Sequence, residues 1–270
     1  MEFYTSVQVA GDKVLVRGYE NGRAYNRRID FYPTLYANSK TPSKFQTLDN
    51  IFVEEVNPGT IRETRDFVKR YDGVSGFNIY GQTNYAYQYI SDTYQGDVHW
   101  DMEQIRVFTI DIETKTEGGF PNIATANEEI LLITVKDLQS KKIVTWGLGP
   151  FIHDRDDVEY REFQTELALL KDFCIWWQCN YPDVITGWNT DFFDVPYLIR
   201  RIDRELGETF AKKMSPWGMI TERKTFIKGN EEIHYDISGV SQLDYLELYK
   251  KYTYQKQESY RRSEEHTSEL

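Results

Sequence analysis

The tightest constraint on the fold comes from "RVFTIDIETKTEGGF", Arg106 to Phe120, where two acids sit one residue apart inside a run of branched apolar residues. Side chains alternate across a strand, so Val107, Thr109, Asp111 and Glu113 share one face while Phe108, Ile110 and Ile112 share the other. The apolar face requires a core. The opposite face carries two carboxylates separated by roughly 6.5 Å of strand rise. Such a pair can reach two hard cations held roughly 4 Å apart, as in phosphoryl-transfer sites. Buried without cations, the two would repel and one would take up a proton. The plainer alternative is a strand end whose outer face is wet.

A second acid centre, "GWNTDFFDVPY" (Gly187 to Tyr197), falls where the short strand "DVITGW" gives way to a helix. Ligands favour such strand C-terminal ends in open α/β sheets. Asp194 precedes Val195-Pro196 at the helix start, so N-capping alone would account for it. Asp191 reads as a loop acid. Asn189 either closes the turn or donates to a substrate phosphate.

Residues 1–103 read as a smaller β-rich domain. Asn21-Gly22 in "ENG" supplies the positive φ angles of a hairpin turn between "KVLVRGY" and "RAYNRRIDFY". "FYPTLYA" is extended. Thr60 and Glu63 form a capping box that starts a helix with Phe67 and Val68 inward and Gly73 as its stop. The tyrosine-rich "YAYQYISDTY" reads as a strand, serving core packing or, beside Arg27, Arg28 and Lys69, a cradle for single-stranded nucleic acid.

Residues 104–261 form a second domain. Three strands, "IRVFTIDIE", "EEILLITVKDL" and "KIVTWGL", precede a helix over "YREFQTELALLKDFCIWWQCNY", with Leu167, Leu170, Cys174 and Trp177 at helical spacing. "VPYLIRRIDREL" is a second amphipathic helix stopped by Gly207. A hairpin over "RKTFIKGNEEIHYDI" turns at Lys228-Gly229-Asn230, and "SQLDYLELYKKY" enters a final helix. The order predicts an α/β fold with a mixed sheet and helices on both faces. The nine residues Arg262 to Leu270, "RSEEHTSEL", resemble a translated sequencing adapter and are set aside as non-native.

The 270 residues carry a net charge of -11, which by itself argues against a phosphate-binding surface unless the acids gather at a metal site. No apolar run approaches the roughly 20 residues of a membrane helix. The N-terminus lacks a basic start and an apolar signal core, so nothing in it suggests export. Cys174 and Cys179 match no zinc or redox spacing and read as two buried thiols. There is no G-x-S-x-G elbow and no P-loop. The four histidines, His99, His153, His234 and His266, lack zinc-ligand spacing. All-oxygen ligands favour Mg²⁺ or Mn²⁺.

"FTIDIET" followed by "GWNTDFFDVPYLIRRI" resembles the first two exonuclease motifs, D-x-E and N-x-x-x-(F/Y)-D, of family B DNA polymerases. "FYPTLYA", "ISDTY", "GGFPN", "GETFAKKMSP" and "LDYLELYKKY" extend the likeness to the replicative polymerases of large tailed bacteriophages across residues 1 to 260. The resemblance implies a ribonuclease-H-like exonuclease domain behind a polymerase N-terminal domain. It implies that Asp111, Glu113 and Asp194 are catalytic and are three of the four carboxylates that hold two Mg²⁺ or Mn²⁺ ions in the complete 3′→5′ proofreading site. Phe120 would pack against bases at a frayed primer end, with Asn189 and Phe193 as further substrate contacts. The hairpin near Lys228 would help separate primer from template. Implied partners are a DNA primer-template, a single-stranded 3′ end, C-terminal polymerase domains and a sliding clamp, all in a bacterial host's cytoplasm.

The third family motif, Y-x-x-x-D, has no suitable copy. "YDISGVSQLD" and "YLELY" come too early, so a fourth carboxylate and a water-orienting tyrosine are expected beyond residue 261. The same holds for the palm, fingers and thumb, which makes the chain a fragment of weak or no nuclease activity. Two other readings stay open: a stand-alone exonuclease with the same carboxylate chemistry, and a non-catalytic nucleic-acid-binding module.

Overall fold

The computed structural model describes residues 2–116, 119–227, 230–253 and 260. They divide into two compact units, Met1–Asp101 and Met102–Leu270.

In the first unit, β1 (Glu2–Ala10), β2 (Lys13–Glu20) and β3 (Arg23–Asp30) form an antiparallel sheet. The β2–β3 turn is the predicted one: Asn21 and Gly22 both take positive φ, 51° and 80°, which matches the twist of the flanking strands. A second sheet has the order β5-β6-β4-β7, with β4 at Leu35–Asn38, β5 at Phe45–Gln46, β6 at Phe52–Val56 and β7 at Ile79–Tyr80. Between β6 and β7, α1 (Ile61–Tyr71) begins on the full capping box: Glu63 N donates to Thr60 Oγ1 and Thr60 N donates to Glu63 Oε2. Its innermost residues are Ile61 and Thr64, while Phe67 and Val68 are only half-buried. Replacing Thr60 with alanine is expected to cost about 1 kcal/mol, read as a lower urea midpoint for this unit.

"YAYQYISDTY" is a helix rather than the expected strand: α2 spans Tyr85–Thr93 and is capped by Asn84, whose side chain accepts from Ala86 N. Tyrosines at 85, 87 and 89 imitate a period of two. The positions that turn inward are Tyr85, Gln88 and Tyr89, at helical spacing, and Tyr87 stays exposed. Tyr85 and Tyr89 pack with Val14, Val16 and Ile61, and Arg27 pairs with Glu2 and Glu20. Here the aromatics serve the core.

The second unit is built on a six-stranded mixed sheet of order β11-β10-β9-β8-β12-β15. The strands are β8 (Val107–Thr114), β9 (Ile130–Asp137), β10 (Ile143–Leu148), β11 (Val158–Phe163), β12 (Val184–Gly187) and β15 (Ser241–Asp244). β8, β9 and β10 form the expected antiparallel meander. β12 joins β8 in parallel, and β15 joins β12 in parallel. The C-terminal ends of β8, β12 and β15 therefore lie at one end of the sheet.

The helix expected over Tyr160–Tyr181 starts later. Residues through Phe163 form β11, parallel to β10, and α3 occupies Glu166–Cys179 behind a Thr165 cap. Its buried side is Leu169, Leu170, Phe173, Cys174 and Trp177, with Leu167 exposed. Leu170, Cys174 and Trp177 are thus buried as the helical spacing predicts, and Leu167 is the one of the four that is not. Cys179 is likewise exposed rather than buried. Then follow α4 (Asp194–Leu206), ended by Gly207 as expected, and the short α5 (Glu208–Ala211). The hairpin strands are β13 (Ile220–Ile227) and β14 (Asn230–Ile237), and α6 spans Tyr245–Tyr252. The turn at Lys228-Gly229 and the segment 262–270 lie outside the described residues.

Phe108, Ile110 and Ile112 point from β8 into a core with Ile133, Trp146, Phe173, Trp177, Leu198 and Ile202. Burying each such side chain contributes roughly 1.5–3 kcal/mol. That alternation fixes which face of β8 the acids occupy.

Candidate active site

The ladder between β12 and β8 is short: Val184, Ile185 and Thr186 pair with Val107, Phe108 and Thr109, and pairing stops there. Gly187 marks the end because of a close approach. A Cβ at that position would meet Ile110 O at 2.7 Å and Thr190 Cγ2 at 2.3 Å. The chain then reverses through Asn189, which sits in the left-handed region at φ 61°, a conformation asparagine tolerates better than most residues. Its carbonyl accepts from Phe192 N at 3.3 Å and Phe193 N at 3.0 Å. The turn-closing reading of Asn189 is thus what its backbone does.

Beyond the end of the ladder, the Ile112 N–H donates to Asp194 Oδ1 at 2.9 Å. A carboxyl from the first residue of α4 thus takes a strand amide, directly between Asp111 and Glu113. Asp194 does not cap its own helix: the N-cap is Phe193, and no side-chain capping bond is made. Asp194 is 4% exposed. Burial pushes its carboxyl up to about 7, and the charges of Asp111 and Asp244 act in the same direction against the Ile112 amide. Among the described residues no lysine or arginine pairs with it. Asp111 is half-buried and Glu113 exposed, both on the non-core face of β8.

Phe120 and Phe193 come together. Their ring centroids lie 4.7 Å apart at 49°, and Phe193 in turn meets Tyr197 at 5.7 Å. Phe120 is 78% exposed, so its face is open to a flat partner. Phe192, on the same loop, stacks on His234 of β14.

Two further acids belong to this end of the sheet. Asp244, at the end of β15, is buried and accepts from Asn189 N, Asp191 N and Leu246 N. The D-x-x-E spacing of Asp244 and Glu247 could have suggested a helix cap; no local signal reveals its reach to the β12–α4 loop. Asp191 is more than a loop acid. Its Oδ1 is buried without a hydrogen-bond partner, and burial, followed by Asp244, Glu247 and Asp236, raises its carboxyl to about 6.

Among the described residues, no three His, Cys, Asp or Glu side chains stand close enough together to hold a metal ion. The donor chemistry nonetheless suits a hard divalent cation: carboxylate oxygens, one of them deeply buried, with no cationic side chain among the described residues paired to Asp194. A cavity of about 380 Å³ lined by Tyr71, Phe77, Ile79 and Tyr80 lies in the first unit and involves none of these acids. No helix among the described residues is long and apolar enough to cross a membrane.

Residues 61–262 match the family model described as DNA polymerase family B, exonuclease domain. The chain is 30% identical over 280 positions to a DNA-directed DNA polymerase of Enterobacteria phage T4, covering 94% of this chain and 31% of that protein. It is 30% identical over 294 positions to the corresponding enzyme of Escherichia phage RB69, covering 96% and 32%. A DNA polymerase of Pyrococcus glycovorans is 28% identical over 191 positions, covering 68% and 23%. The chain spans about a third of the length of the phage relatives it matches.

Proposed function

Because this chain belongs to the family B DNA polymerases through their exonuclease domain, we propose that it carries the 3′→5′ proofreading exonuclease of a replicative, DNA-directed DNA polymerase. Residues 1–103 would be that polymerase's N-terminal domain and 104–261 the exonuclease domain. The observation that carries the reading is the Asp194 carboxyl seated on the Ile112 amide, between Asp111 and Glu113, at the C-terminal end of three parallel strands.

In this reading Asp111, Glu113 and Asp194 hold Mg²⁺ or Mn²⁺, together with a fourth carboxylate from the third motif of the longer polymerase. Two such ions, when bound, acidify the attacking water and offset charge on the departing 3′ oxygen. The chain's own residues do the rest. Asp194, held on β8, orients the second acid centre against the first. Phe120, backed by Phe193, offers a face on which the terminal base of a single-stranded 3′ end stacks. Asn189 shapes the loop that faces the terminal phosphodiester. The products are a nucleoside monophosphate and a primer one nucleotide shorter. The primer-template, the C-terminal polymerase domains and a sliding clamp are the partners of the longer protein, in the cytoplasm of a bacterial host.

The test begins with metal titration. Mn²⁺ or Mg²⁺ is expected to raise the melting temperature of the 270-residue chain, and Glu113→Ala is expected to remove that rise. A binding module would show no such response, and its absence in the wild type would overturn the assignment. In the longer polymerase, Asp111→Ala is expected to slow release of labelled 3′ nucleotides from single-stranded DNA at least about 100-fold. The 270-residue chain is expected to release them weakly. Robust turnover by it would show that three carboxylates suffice.

A further inference from the structure

We propose that Asp244 is a positioning residue whose carboxyl clamps the β12–α4 loop so that Asp194 is delivered to β8. The inference rests on the reading that Asp194 works together with the β8 acids.

The register supplies the starting point. β15 runs parallel to β12 with Gly187 opposite Asp244, so Asp244 stands beside the point where β12 ends. Its side chain is 4% exposed. Oδ1 accepts from Asn189 N at 3.0 Å and from Leu246 N at 2.8 Å, and Oδ2 accepts from Asp191 N at 3.0 Å. Two of these three donors belong to the loop. They are amides that a finished strand and a left-handed turn leave unpaired, and buried amides need acceptors.

The loop then passes the constraint onward. The Asn189 carbonyl accepts from Phe193 N, and the Thr190 carbonyl accepts from Val195 N at 3.0 Å. These bonds start α4 at Asp194, which reaches across to Ile112 N. An unbroken hydrogen-bonded path thus runs from the edge strand of the sheet to the strand bearing Asp111 and Glu113. The simpler role for Asp244 is capping α6 through Leu246 N alone. That role accounts for one bond of the three.

Serine separates the two roles. It is a good N-cap but too short to serve the loop, so Asp244→Ser keeps the α6 cap and releases the clamp. Amide hydrogen exchange on the 270-residue chain is the primary readout. Asp244→Ser is expected to leave Leu246 protected while Asn189, Asp191 and Ile112 exchange about 10-fold faster or more. Asp244→Asn retains the Oδ1 acceptor and turns a donor toward Asp191 N; it is expected to expose Asp191 first and Ile112 less. If Asp244→Ser fails to fold, this second variant decides.

The midpoint of the Mn²⁺-induced thermal shift is the second readout, expected about 10-fold higher in Asp244→Ser. Unchanged exchange at Asn189, Asp191 and Ile112 would overturn the clamp. A wild type without any Mn²⁺ response would instead overturn the metal reading, and faster exchange at Ile112 would still support the clamp.

Discussion

Replacing Glu166 with alanine is expected to destabilise the protein by about 3–5 kcal/mol, because it strips a buried guanidinium of its two-pronged partner, leaving only the more exposed Glu205, and strands the Ile130 N–H. Glu166, at the start of α3, and Arg201, in the middle of α4, are each 6% exposed and bonded in a fork: Arg201 Nε to Oε1 at 2.7 Å and Nη2 to Oε2 at 2.6 Å. Oε1 also accepts from Ile130 N at 2.8 Å. The other arm of Arg201 donates to the carbonyls of Ala126 and Asn127 and pairs with Glu205 at 3.2 Å. One ion pair thus ties α3, α4 and the segment entering β9, which ends the loop bearing Phe120. Domains are stable by only about 5–15 kcal/mol, so the loss is a large share of the total. Urea denaturation measures it, and a loss below about 1 kcal/mol would contradict the account. The double replacement Glu166→Met/Arg201→Met is expected to cost less than either single change, because no charge is then stranded.

The second large effect has the opposite sign. Asp194→Asn is expected to stabilise the metal-free protein at pH 7 by roughly 3 kcal/mol while abolishing its response to divalent cations. The Asp194 carboxyl titrates at about 7 in the fold and near 3.9 when unfolded. Between those values the folded state binds more protons. The contribution is therefore fully present below about pH 4 and is lost as pH rises through about 7. Asp191, raised to about 6, adds loss of the same sign. In EDTA, wild-type stability should fall from pH 4 to 7, and Asp194→Asn should flatten most of that fall. Asparagine keeps the acceptor for Ile112 N and carries no charge to desolvate. Added Mn²⁺ at pH 7 should restore stability to the wild type and not to the variant. A wild type whose metal-free stability is level across this range would refute the argument.

Legibility followed the range of the interactions. The hairpin at Asn21-Gly22, the capping box at Thr60 and the stop at Gly207 depend on a few adjacent residues, and their signals are local. The misreadings occurred where a period was ambiguous over a few residues: tyrosines at 85, 87 and 89 fit a strand until packing selects 85, 88 and 89. No breaker separates Tyr160 from Thr165, so the edge strand β11 runs into α3 without a sequence signal and only pairing with β10 distinguishes it.

At the acids the division is sharper. Alternation along β8 placed Asp111 and Glu113 on the non-core face, since three large apolar side chains on the other face cannot be left in water. Whether Asp194 capped a helix or crossed to another strand could not be read along the chain. That choice depends on where the β12 ladder stops, on the room Gly187 makes beside Ile110, and on a carboxyl from β15 arriving at Asn189 and Asp191. Those partners lie more than 50 residues apart in sequence. Burial then raised the Asp194 carboxyl to about 7, because desolvation is a property of what surrounds a group in space and not of its neighbours along the chain.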